Sequence, residues 1–137
     1  MNRRGFTLVE LLSVLVLISL LLGLAIPGIN KISNNMKKKS YSKKVSLVES
    51  AAILWGQDHR TLLQTNDDCK LSTDKIVSCY KITVGSLIKD NYLDSDKNSG
   101  EYINPVDNSD MKECIVFVFK ENNRVYAELD NSVENCS

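Results

Sequence analysis

The sequence predicts an α+β fold: one long N-terminal α-helix, membrane-spanning in its first half and amphipathic in its second, packed on a small antiparallel β-sheet. Three observations carry that expectation. From Phe6 to Ile29 the only ionisable side chain is Glu10. Further on, Ile32, Met36, Val45, Val48, Ala52 and Trp55 recur at close to helical spacing among polar neighbours. Near the C-terminus, "CIVFVF" (114–119) reads as a strand, "KENNR" as a turn and "VYAEL" (125–129) as its partner.

The apolar run of 24 residues, 6–29, comes first. As a helix it measures ~36 Å, enough to cross a hydrocarbon core of about 30 Å. A cleaved secretory signal is disfavoured, because the run is long for such a segment and no A-x-A-type site closes it. Gly23, Pro27 and Gly28 near its end predict a bend or local unwinding, since proline removes a helical hydrogen bond. Residues 30–64 form the amphipathic stem, with the helix reaching about Leu63. The remaining residues, 65–137, make a head too short for a self-sufficient core, so it must lean on the stem and on disulfides. Within it, "KIVSCYKI" (75–82) reads as a strand. "TVGSLIKDNYL" (83–93) reads as a short helix with Thr83 as N-cap and Leu87 and Ile88 on one face.

The chain carries no net charge, yet its charge is split. Residues 1–44 hold 8 Lys and Arg against the single Glu10, whereas residues 45–137 hold 9 against 16 Asp and Glu. An acidic head disfavours direct nucleic-acid binding, which needs clustered cations. Four cysteines, Cys69, Cys79, Cys114 and Cys136, all follow the apolar run. Their even number and the lack of a C-x2-C pair point to two disulfides rather than zinc. Three pairings are open; Cys69–Cys79 with Cys114–Cys136 is preferred because each closes a local loop. Catalysis has little to stand on. His59, the one histidine, sits on the stem near Trp55 and Leu62 in a packing or surface role, and no phosphate loop or nucleophile–base spacing appears. No cofactor is expected.

"RRGFTLVELL", Arg3 to Leu12, resembles the N-terminal signal of type IV pilins and of the pseudopilins of type II secretion and DNA-uptake systems. Arg3–Arg4, Gly5, Phe6 and Glu10 match the family's basic leader, glycine, phenylalanine and glutamate, and Pro27 falls where the family often bends its helix. The likeness is specific over residues 3–30 and architectural beyond them. It implies a leader, residues 1–5, removed by a membrane-embedded prepilin peptidase that cuts between Gly5 and Phe6 and methylates the new Phe6 amine. It implies a single-pass protein of the cytoplasmic membrane with its head outside, which then joins a surface filament or pseudopilus. Its partners would be the peptidase, other pilin or pseudopilin subunits, and an assembly platform with its ATPase. Glu10 and Pro27 would serve assembly. A carboxylate inside a bilayer costs roughly 2.5–3.5 kcal/mol, and pairing with the Phe6 amine of a neighbouring subunit would relieve it.

Two features sit apart from this reading. Lys31, Lys37, Lys38, Lys39, Lys43 and Lys44 follow the apolar run while only Arg3 and Arg4 precede it, so a positive-inside count alone would keep the head in the cytoplasm. The cysteines and the cleavage motif argue for the opposite orientation. Secondly, Asp94, Asp96 and Asn98 alternate like the opening of a calcium loop, and some type II secretion pseudopilins bind calcium in the head. Here Gly100 comes one residue late and Pro105 stands where a closing glutamate belongs, so a polar turn is the better reading. The function expected is a structural subunit of a pilus or pseudopilus in competence, adhesion, motility or secretion. The alternative is a minor, membrane-anchored subunit whose head recognises DNA, calcium or a surface.

Overall fold

The computed structural model describes residues 7–64, 67–133 and 136, with the side chains of 24–30 and 64 outside that set. Helix α1 runs Leu8–Asp58, and a 3-10 turn follows at Leu62–Gln64. The strands are β1 (Asp67–Lys70), β2 (Ile76–Thr83), β3 (Ile115–Glu121) and β4 (Arg124–Leu129), and helix α2 (Val84–Lys89) lies between β2 and β3. Two compact units result, residues 1–36 and 37–137.

In the second unit the four strands form one sheet in the order β1-β2-β3-β4, every neighbour antiparallel. The β3–β4 hairpin follows the expected strand, turn and strand. Asn122 and Asn123 close it with φ of 49° and 65°, a pair of left-handed residues that suits a two-residue hairpin loop. Thr83 caps α2 as expected, its hydroxyl oxygen accepting the Ser86 N–H at 3.2 Å. β1, "DDCK", was not foreseen. Its acidic residues carry no alternating apolar signal, and only Cys69 is buried.

Alternation along the strands divides the sheet into two faces. Ile82, Val116, Val118, Val125 and Leu129 meet α1 through Val48, Ala51, Ala52 and Trp55, with Val45 and Tyr41 partly buried beside them. The stem periodicity is therefore correct from Val45 onward, whereas Ile32 and Met36 remain exposed. The opposite face carries a smaller cluster of Cys69, Leu71, Cys79, Phe117 and Phe119. Tyr126 stacks on Phe119 with ring centroids 5.8 Å apart. The segment between α2 and β3 closes the core with buried Tyr102, Met111 and Asn104.

Helix and sheet approach closely at Gly56. A Cβ added there would lie 2.7 Å from Val118 Cγ1 and 2.8 Å from Val125 Cγ1. Alanine would gain about 0.5–1 kcal/mol in helix propensity, but overpacking costs ~1–3 kcal/mol. The clash wins. Gly56→Ala therefore lowers the stability of the head, read as a fall in the midpoint of thermal unfolding.

Candidate assembly site at the start of the helix

Thr7 immediately precedes α1 and Glu10 stands in its first turn. The Thr7 N–H donates to Glu10 Oε2 at 3.1 Å, and the Thr7 hydroxyl reaches the same oxygen at 3.0 Å. In return the Glu10 N–H donates to Thr7 Oγ1 at 3.3 Å. This reciprocal arrangement is a capping box, which satisfies amide groups that a helix start otherwise leaves unpaired. Its signature, T-x-x-E in "TLVE", is present in the sequence, but reasoning about buried charge alone does not use it. Both donors to the carboxylate are neutral. Glu10 is hydrogen-bonded within its own chain, and among the described residues its charge has no counter-charge.

Beyond the cap, the Leu, Val and Ile side chains from Leu8 to Leu22 keep 47–79% of their surface exposed. The two serines among them hide their polarity: Ser13 donates to Val9 O at 2.6 Å and Ser19 to Leu15 O at 2.8 Å. Among the described residues no helix is long and apolar enough to cross a membrane. The expected span, 6–29, includes Phe6 and the side chains of 24–30, which lie outside the described set. Gly5 and the expected cleavage junction also lie outside it. So does the Pro27 side chain.

The other singled-out residues fall elsewhere. Cys69 bonds to Cys79 across β1 and β2, and Cys114 to Cys136, with Cα separations of 5.8 and 5.7 Å. The first staples the edge strand, and the second ties the C-terminus to the start of β3. His59 stacks on Trp55 with centroids 4.5 Å apart, and its Nδ1 lies 2.9 Å from the Trp55 carbonyl oxygen. This is packing rather than a reactive arrangement.

Asp94, Asp96 and Asn98 lie in the segment between α2 and β3. Among the described residues no group of three or more His, Cys, Asp or Glu side chains gathers as metal ligands. The Asp96 carboxylate instead takes the Lys44 ammonium and, at 2.7 Å, the Ile103 N–H. Burial pushes the Asp96 carboxyl up, but the hydrogen bonds from Lys44 and Ile103 and the charges of Lys44 and Lys97 outweigh it and hold the group below its ordinary range. Lys44 is one of the six lysines that follow the apolar run. Nothing in its sequence neighbourhood marks it, because its partner is 52 residues away.

Residues 1–26 match the model of the prokaryotic N-terminal methylation motif. The chain is 36% identical over 59 residues to the ComG operon protein 3 homolog of Bacillus licheniformis, covering 43% of this chain and 61% of the relative. It is 39% identical over 59 residues to competence protein ComGC of Bacillus subtilis, covering 43% and 60%. The chain thus spans about 60% of the length of the curated relatives it matches. No solved structure matches it.

Two outcomes follow from these geometries. Thr7→Ala removes the cap at a cost of ~1 kcal/mol, so amides in the first turn of α1 exchange several-fold faster by hydrogen–deuterium exchange on the detergent-solubilised chain. Burial, with the nearby Asp96 charge, pushes the Tyr102 hydroxyl up from 10.0 to about 12. A folded-state pKa above the unfolded one contributes stability below pH 10 that is lost as pH rises through about 12. Near-UV circular dichroism should show that alkaline loss, and Tyr102→Phe should lessen it.

Proposed function

We propose that this chain is a structural subunit of a type IV pilus-like filament, a pseudopilus of the competence type, anchored in the membrane before assembly. The observation that carries this reading is the methylation motif over residues 1–26, set at the start of a helix whose apolar side chains are uncovered. The name of the Bacillus subtilis relative, competence protein ComGC, supports the choice of machine.

The physical argument runs from Glu10. Among the described residues its carboxylate has neutral donors and no cation. Cleavage after Gly5 creates a positive amine at Phe6, less than two helical turns away along the chain. In a filament the same amine is presented by each neighbouring subunit. Pairing Glu10 with a neighbour's Phe6 amine neutralises two charges in a low-dielectric setting and sets the axial step between subunits. The exposed apolar surface of Leu8–Leu22 passes from lipid to other helices at little cost in hydrophobic burial, because both surroundings are apolar. Charge pairing then decides between the two.

The head takes no part in this chemistry. It presents an acidic, disulfide-tied surface outward, and the prepilin peptidase, assembly platform and ATPase act on the N-terminal segment and the filament base.

Intact-mass and N-terminal peptide analysis of protein from native membranes and sheared surface material tests the reading. The expected species begins at N-methylated Phe6 and lacks four thiol hydrogens, matching the two disulfides. A full-length chain that retains Met1–Gly5 in the surface fraction would refute it. Glu10→Ala should be processed and inserted yet absent from sheared filaments.

A further inference from the structure

The loop from Asp94 to Ile103 is built around a cation that belongs to α1. The Lys44 ammonium contacts the Asp96 carboxylate and donates to the Ile103 carbonyl oxygen at 2.7 Å. It also lies 4.4 Å from the centroid of the Tyr102 ring. Asp96 uses the same carboxylate oxygen to accept the Ile103 N–H, and its own N–H donates to the Glu101 carbonyl at 2.9 Å. Tyr102, buried in the core, returns a hydroxyl contact to the Lys44 carbonyl at 3.4 Å. The lysine side chain is only 19% exposed, unlike the solvated lysines beside it.

We propose that Lys44 is the resident cation of this loop, standing in for a bound metal and locking residues 94–103 onto α1, so that the head keeps this surface with or without calcium. This goes beyond the filament role and does not rest on it. A calcium ion requires 6–8 oxygen ligands at 2.3–2.6 Å. Here one carboxylate and one carbonyl converge, and a covalently tethered ammonium already satisfies both. The ring of Tyr102 contributes a cation–π contact to an ammonium that is largely removed from water. An ion arriving from solvent would meet a positive charge at the Asp96 carboxylate. The tether also matters for timing: the loop is closed as soon as the head folds, with no ion to capture.

The contrast with Lys43 isolates the effect. Lys43 is the adjacent lysine of the same helix, and its side chain is exposed. Lys44→Met keeps an unbranched apolar stem and deletes the ammonium with its charge and its hydrogen bonds, so a difference between the two variants reports the ammonium rather than the helix.

The test is hydrogen–deuterium exchange on the full chain in detergent, following the peptide that spans 94–103, in EDTA and in millimolar calcium chloride. In the native chain this peptide exchanges at the same rate in both media. Lys44→Met speeds its exchange on the order of tenfold, the scale of a lost charge-assisted hydrogen bond, while Lys43→Met leaves it unchanged. Should Lys44→Met fail to fold, Asp96→Asn, which retains the lysine and removes its counter-charge, must accelerate the same peptide. Calcium protection of the loop in the native chain would overturn the proposal. So would native exchange rates in a folded Lys44→Met, or in Asp96→Asn.

Discussion

Everything in residues 37–137 depends on how closely α1 lies against the sheet. Ala51, Ala52 and Gly56 keep that face of the helix thin, and Val118 and Val125 fill the space a larger residue would claim. Because the backbone comes this near, Trp55 can enter the core, stack on Tyr80 with centroids 5.2 Å apart, and place its indole N–H 3.2 Å from Asp90 Oδ2. A four-stranded sheet alone would leave one face wet. The helix supplies the second layer that a domain of this size needs.

The same helix also organises the periphery. Tyr41 donates to the Cys136 carbonyl at 2.7 Å, holding the C-terminal segment that the Cys114–Cys136 bond secures. Glu49 accepts the Leu129 N–H at 3.3 Å at the end of β4. Burial pushes its carboxyl up, against the lowering effect of that hydrogen bond. Lys44 holds the 94–103 loop. Three polar residues on a helix that looks merely solvated thus anchor three separate segments, each from far along the chain. The Cys69–Cys79 disulfide complements them on the side α1 cannot reach, where it crosses the outer cluster of Phe117 and Phe119.

The two stretches of α1 make opposite use of apolar residues. From Val45 to Trp55 they are paired with the sheet of the same chain. From Leu8 to Leu22 they stay exposed, their serines folded back onto the backbone and their single acid held in a capping box. On the proposed function, that surface is completed by lipid first and by other subunits afterwards. The capping box refines the view of Glu10: its hydrogen bonds are met locally, so on that proposal a neighbour would contribute charge neutralisation rather than a missing donor.

Local patterns were enough for the helical stem from Val45, the β3–β4 hairpin, the Thr83 cap and the motif around Glu10, because each depends on residues within a few positions of one another. The local-loop preference also matched the bonded cysteines, although sequence separation alone left three pairings open. Other features had no such signature. β1 is a strand because β2 offers it an edge and a disulfide, not because "DDCK" favours one. Ile32 and Met36 fit the helical period yet have no sheet to cover them, since periodicity records a face and not a partner. The acidic loop, whose spacing favours a polar turn over a calcium site, carries no local sign of Lys44. Its charge is compensated by a residue on another element, and only the folded chain brings an ammonium from position 44 to a carboxylate at 96.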